Sequence, residues 1–220
     1  MAGLRKFKAL DHTRHNPAVG NLYGCKPLGR LLIVGMSHYG GENVKHEGFT
    51  QTILSEVIER ERRISYFTKV ASLFRDPKRH PYSPEDFYPL VAFYNFLPEV
   101  YAARQRVDEK QWLNPDTQRF FFRVVDYLKP QRILLTGEQL WRVLPSCIPG
   151  PQGKRRVRED GTGLNVQFGG VEAECCWYGV EGAEDCLVGA ITHPSTRKFN
   201  KNRAVIRAWV QKFMGWTKIR

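Results

Sequence analysis

The sequence has no apolar run of the roughly 18 residues needed to cross a bilayer, so it predicts no membrane-spanning helix and no membrane partner. Its first residues, Met1-Ala2-Gly3-Leu4-Arg5-Lys6, hold no apolar stretch long enough for a secretory signal. The expectation is a cytoplasmic protein, nucleoid-associated in a bacterial cell. Cysteine is scarce. Cys25, Cys147, Cys175, Cys176 and Cys186 make an odd five without a Cys-x-x-Cys pair, which excludes a secreted disulfide scaffold. Adjacent Cys175 and Cys176 would point to opposite faces of a strand, a poor geometry for ligating one metal. The thiols read as reduced packing groups, and no zinc, iron–sulfur cluster or other cofactor is expected. Internal repeats and low-complexity segments are also absent.

Acidic side chains are the minority charge: 22 stand against 34 basic ones, a formal net charge of +12. Such an excess favours a polyanionic partner, because each neutralised phosphate releases counterions. The expected partner is DNA, single- or double-stranded, bound by a monomer. With 42% hydrophobic and 12% aromatic residues, the 220-residue chain can bury a substantial core. Residues 1–29 are basic and rich in turn formers and read as an arm or capping segment. Residues 30–220 read as one α/β domain.

Leu31-Leu32-Ile33-Val34 is a short apolar run ending at Gly35, the pattern of a buried strand in a parallel sheet. Met36 to Gly48, with three glycines and two histidines, reads as a loop. Ile53, Leu54, Val57, Ile58 and Ile64 mark one helix stripe, interrupted by the charged run Glu59 to Arg63. Ser83-Pro84 caps a second helix, whose apolar face is Phe87, Leu90, Val91 and Tyr94. Asn114-Pro115 repeats the cap signal before Phe120, Phe121, Val124, Val125 and Leu128. Pro130 stops that helix, and Arg132 to Thr136 is the next buried strand. Gly137 turns it into a helix carrying Leu140, Trp141 and Leu144. Residues 149–163 are rich in Gly, Pro and charge and read as an exposed loop. Its run Lys154-Arg155-Arg156 is a candidate phosphate contact. Leu164 to Phe168 and Val171 to Tyr178 flank Gly169-Gly170 as a hairpin. Cys186 to Ile191 is a third apolar strand, and Val205, Ile206, Trp209, Val210 and Phe213 mark a final helix. This alternation predicts a three-layer α/β/α fold with a short, mainly parallel central sheet.

In such sheets ligands bind outside the carboxyl ends of the strands. Gly35 to Gly41, the segment after Thr136, and Thr192 to Arg197 would then share one rim. The first and last of these hold Ser37, His38, Tyr39, Glu42, His193 and Ser195.

Gly35-Met36-Ser37-His38-Tyr39-Gly40-Gly41 after its strand resembles the first motif of the uracil-DNA glycosylase superfamily, Gly-x-Asp/Asn-Pro-x. His193-Pro194-Ser195-Thr196 resembles its second motif, His-Pro-Ser-Pro, placed likewise between a strand and the C-terminal helix. Asn95 in Tyr94-Asn95-Phe96 resembles the family's base-reading Asn, and Arg132 to Trp141 its penultimate strand and helix. The likeness runs from about residue 30 to about residue 215 and implies a glycosylase-like fold. It implies excision of a deaminated base, uracil or a relative, by hydrolysis of the N-glycosidic bond after base flipping.

On that resemblance, Gly35 and Met36 line the base pocket, Asn95 reads the Watson–Crick edge, and Tyr39 excludes a C5-methyl group. Phe49 stacks on the base, and His193 hydrogen-bonds the leaving base's carbonyl. Ser195 and Thr196 hold a phosphate, while Arg197, with Lys198 beside it, enters or flanks the duplex. Two positions depart from the pattern: Ser37 stands where the family has Asp or Asn, and His38 where it has Pro. Either activity is weak, or Glu42 or His38 takes over, or the protein binds nucleic acid without cutting it. A serine hydrolase using Ser37 with His193 and Glu42 or Asp185 is the other alternative, although position 39 breaks the Gly-x-Ser-x-Gly elbow.

Overall fold

The computed structural model describes residues 3–6, 10, 15–39, 48–75, 80–97, 100–101, 107–143, 149–150, 153–154, 157–158, 166–168, 171–173, 175–180 and 182–216. The apolar runs become the middle of a seven-stranded sheet. Its strands are β1 (Ala18–Val19), β2 (Leu31–Gly35), β3 (Ala92–Asn95), β4 (Arg132–Thr136), β5 (Val157–Arg158), β6 (Cys175–Tyr178) and β7 (Cys186–Ile191), in the spatial order β1-β3-β2-β4-β7-β6-β5. The four central strands, β3, β2, β4 and β7, are parallel, and the outer pairings are antiparallel. Parallel strands need cover on both faces, which is why these four are apolar nearly throughout.

Alternation along each strand divides that cover. Ile33, Phe93, Leu134, Leu187 and Ile191 face one core with α1 (Phe49–Ile58), α2 (Ser65–Ala71), α3 (Pro84–Phe87) and the C-terminal α8 (Arg203–Phe213). Leu32, Val34, Tyr94, Ile133, Leu135 and Val188 face a second core. That face is covered by the single turn α4 (Glu109–Trp112), α5 (Pro115–Leu128) and α6 (Glu138–Val143), while α7 (Arg197–Lys201) leads into α8. Helices thus lie on both faces of a mixed, centrally parallel sheet. A Cβ at Gly189 would stand 2.5 Å from Trp209 Cη2, so the bare backbone of β7 is what lets the stacked Trp209–Phe213 pair of α8 lie against it. Among the described residues no helix is long and apolar enough to cross a membrane.

The caps form as the sequence implies: Ser83 Oγ accepts from Asp86 N, and Asn114 Oδ1 from Asp116 N. Other elements differ from the sequence reading. The stripe from Ile53 to Ile64 is two helices, because Arg60 adopts a left-handed turn (φ 64°) held by an ion pair to Glu85 at 2.5 Å. The helix begun at Ser83 does not reach Tyr94. Pro89 lacks the N–H that would continue it, so it ends as a 3₁₀ turn, Tyr88–Leu90, and the chain extends into β3. Asn95 is therefore a strand-end residue and not a helix cap. Within the segment read as a loop, Pro149–Gly150 pairs with Gly153–Lys154, and Val157–Arg158 forms the sheet's outermost strand. His38–Tyr39 likewise pairs with Val100–Tyr101. Val166–Phe168 pairs with Val171–Ala173 in hairpin register. Ala18–Val19 seats part of the N-terminal segment against β3.

Candidate functional site

The four parallel strands end level. Gly35 is in register with Asn95, Val34 with Leu135, and Thr136 with Ile191. In chain order the second of these strands lies on one side of β2 and the third on the other. The segments leaving β2 and β4 therefore diverge at their carboxyl ends, the place where α/β sheets take their ligands.

Gly35, Asn95, Thr136 and His193 meet at this rim. A Cβ on Gly35 would stand 2.2 Å from Asn95 Oδ1 and 3.2 Å from the Tyr66 hydroxyl, so both side chains lie directly over the glycine. Asn95 is 4% exposed. The Thr136 hydroxyl donates to the Val34 carbonyl (2.9 Å) and lies 2.6 Å from the Tyr66 hydroxyl. A threonine has one hydroxyl proton, so Tyr66 is the donor in the second bond. Burial raises the Tyr66 pKa well beyond the usual phenol range, and that proton stays in place. A Cβ at Gly137 would touch Met36 at its sulfur (3.3 Å) and His193 at Cδ2 (3.9 Å), which brings Met36 and His193 to the same place.

The His193 ring lies 5.6 Å from the Tyr66 ring, and its Nδ1 accepts from the Ser195 amide at 3.2 Å. Burial, and then the Lys69 ammonium, lower its pKa, so the ring is neutral at neutral pH. With Nδ1 accepting, the single proton sits on Nε2, assigned from that hydrogen bond. The loop around it is braced. Lys69 Nζ donates to the Pro194 carbonyl (3.0 Å), and the Thr196 hydroxyl donates to the His193 carbonyl (2.8 Å) while accepting from Phe199 N at the start of α7. Glu138 accepts from Thr192 Oγ1 (3.0 Å) and Lys198 Nζ (2.8 Å). The Lys198 hydrogen bond does most to hold that carboxyl below its ordinary pKa.

Ser37 Oγ is buried and has no hydrogen-bond partner among the described residues. An unpaired buried hydroxyl costs about 1–3 kcal/mol, so such groups are rare without a role.

Of the sequence candidates, Gly35, Met36, Ser37, Asn95 and His193 occupy the rim. Ser195, Arg197 and Lys198 are exposed beside it. Thr196 is exposed too, with its hydroxyl engaged in the loop and cap bonds above. His38 and Phe49 go elsewhere. His38 Nε2 is 2.9 Å from Thr50 Oγ1, and its ring packs on Phe49 (4.7 Å) and His15 (5.1 Å). Burial, then the His15 charge, lower the His38 pKa to about 3. The buried ring is therefore neutral and, unlike a carboxylate, brings no negative charge. Phe49, 9% exposed, is a member of the same packed cluster and of the core. The Tyr39 side chain, all of Glu42, the Lys154 side chain, Arg155 and Arg156 lie outside the described residues.

Tyr66, Lys69 and Thr136 belong to the site and were not candidates. Thr136 carried a signal, as a hydroxyl directly following the aliphatic run Ile133-Leu134-Leu135. Tyr66 carried none, since only the fold brings the start of α2 to the rim. Among the described residues no three His, Cys, Asp or Glu side chains converge to hold a metal. The chain matches no protein-family model and no curated protein sequence.

Proposed function

We propose that this protein is a DNA glycosylase-like hydrolase with a uracil-DNA glycosylase-like fold, which flips a deaminated base out of DNA and hydrolyses its N-glycosidic bond. One observation carries this reading. The Asn95 amide and the neutral His193 ring, from distant parts of the chain, both reach the Tyr66 side chain at the rim where the parallel strands end, and Ser37, two residues past Gly35, keeps a buried hydroxyl with no partner among the described residues. Asn95 offers a donor and an acceptor together, the pairing needed to read a uracil-like edge. His193 Nε2–H donates to the base carbonyl as negative charge gathers there during bond cleavage. Ser37 orients the water that adds to the sugar carbon. The bonding pair of the broken C–N bond leaves with the base, which takes up the proton the water loses.

The test is incubation with oligonucleotides containing uracil, hypoxanthine or xanthine, followed by alkali. Cleavage at the lesion supports excision, and intact strands with salt-sensitive binding support the second reading, a non-catalytic binder. That reading is favoured by Ser37 itself, which brings no charge to a position where the resembling family has Asp or Asn. The serine-hydrolase alternative is disfavoured by geometry. Ser37 Oγ has no partner among the described residues, and the His193 nitrogen free of Ser195 is the one that already carries the proton.

A further inference from the structure

We infer that Arg75, Arg203 and Arg207 form an anchoring site for one backbone phosphodiester of the bound strand, beside the base-binding rim. Arg203 Nη2 donates to Ser72 Oγ (2.5 Å) and Arg207 Nε donates to the Ser72 carbonyl (3.2 Å). Ser72 is buried, and its hydroxyl proton goes to the Lys69 carbonyl (2.7 Å), which leaves its oxygen free to accept from Arg203. One buried residue thus fixes two guanidinium groups. Both stay within reach of solvent, since Arg203 is exposed and Arg207 half-buried, and Arg75, three residues past Ser72, is exposed and near enough to act on the Arg207 charge.

The arrangement is unfavourable without an anion. Arg203 and Arg207 are four residues apart on α8, where like charges repel. Arg203 opens that helix, where the backbone dipole already presents its positive end and the first turn holds no acidic residue. Arg203 and Arg75 both disfavour the charge on Arg207, after the larger effect of its burial. The ion pairs among the described residues are Arg60–Glu85, Arg62–Glu56, Arg119–Asp116 and Lys198–Glu138, and none reaches this trio. A phosphodiester would neutralise the cluster and accept paired N–H groups from a guanidinium fork.

Position selects a nucleic-acid backbone. Lys69, which holds the Pro194 carbonyl of the His193 loop, lies three residues before Ser72. The Phe213 carbonyl at the other end of α8 accepts from Arg132 Nε at the start of β4, so the Arg203 end of the helix lies towards the rim where β4 and β7 finish. A strand whose base reaches the rim passes the arginines with a backbone phosphate. This inference rests on nucleic acid being the ligand, and it does not require that a base be excised.

The experiment uses the full chain and a lesion-free single-stranded oligonucleotide, titrated over a salt series. Arg203→Gln/Arg207→Gln should flatten the slope of log affinity against log salt by about 0.7 for the phosphate lost. Arg75→Gln, on a separate segment, should flatten it in the same direction, which covers failure of the double variant to fold. The melting temperature of the double variant, which sets the repulsion removed against the two Ser72 hydrogen bonds lost, is read beside the slope to confirm that the variant is folded. An unchanged slope in both variants overturns the site. So does a wild type that is stabilised by inorganic phosphate through these arginines while the variants bind the oligonucleotide normally. Base release from a uracil-containing strand is read in parallel. No release by the wild type with a flattened slope in the variants removes the excision reading and keeps the phosphate site, and release with an unchanged slope does the reverse.

Discussion

Gly35 and Asn95 end neighbouring parallel strands in matched register, with Asn95 Oδ1 resting where a side chain at position 35 would begin. The amide keeps its place because its neighbour has none. Gly35→Ala should displace both Asn95 and the Tyr66 hydroxyl, at an overpacking cost of about 1–3 kcal/mol. On the excision reading, single-turnover base release should fall by about 100-fold or more, a loss comparable with removing one oriented donor. A thermal melt and a quenched-flow assay read the two effects separately. Full activity in Gly35→Ala would show that Asn95 does not read the base.

Ser37→Ala removes a buried hydroxyl that has no partner among the described residues. It should raise stability by about 1 kcal/mol, by relieving an unpaired polar group, while lowering base release. On the excision reading, Ser37→Asp, which introduces a negative charge at this position, should raise the rate. Urea denaturation and the alkali cleavage assay check these outcomes. A stability loss in Ser37→Ala would mean that the hydroxyl has a structural partner.

His193→Ala should reduce turnover much more than DNA affinity, measured as kcat against the Kd for uncleaved strand. The pH profile carries a sign. The folded pKa lies below the ordinary histidine value, so the neutral donor persists as pH falls through about 6.5 and is lost only below that. Base release should therefore hold through pH 6.5 and decline only at a lower pH. A fall in rate centred near 6.5 would contradict the neutral-donor role.

His38 makes a separate prediction, for stability. Its folded pKa of about 3 lies below the unfolded value, so the unfolded chain binds the proton first. The contribution is complete above about pH 6.5 and is lost as pH falls towards 3. The slope is about 1.4 kcal/mol per unit, or roughly 2 kcal/mol between pH 7 and pH 5. His38→Gln should show a correspondingly shallower acid dependence in denaturant titrations at the two pH values.

The elements legible in the sequence were those whose signal is local. Leu31 to Val34, Arg132 to Thr136 and Cys186 to Ile191 are aliphatic runs bounded by turn formers, and they became three of the four central strands. Ser83 and Asn114 announced their caps. The fourth strand was hidden because Phe87, Leu90, Val91 and Tyr94 happen to keep helical spacing across Pro89, and the ladder beside β2 decided the outcome. Two-residue strands such as Val157–Arg158 are too short to leave a period of two. At the site, pairing Gly35–Ser37 with His193 followed from the rule that parallel strands share a rim. The positions of Tyr66 and Lys69 depended on how α2 packs, which no local pattern encodes. The packing of His38 left no trace in the sequence, because its ring partners His15 and Phe49 are distant or silent about burial.

Trp209 and Phe213, stacked 5.2 Å apart over the side-chain-free stretch of β7, have a mechanical consequence. They seat the last helix directly on the strand that leads to His193, so the orientation of the arginine-bearing end of α8 is set by the same strand that sets the imidazole. A side chain at Gly189 would wedge helix and strand apart and disturb both ends together.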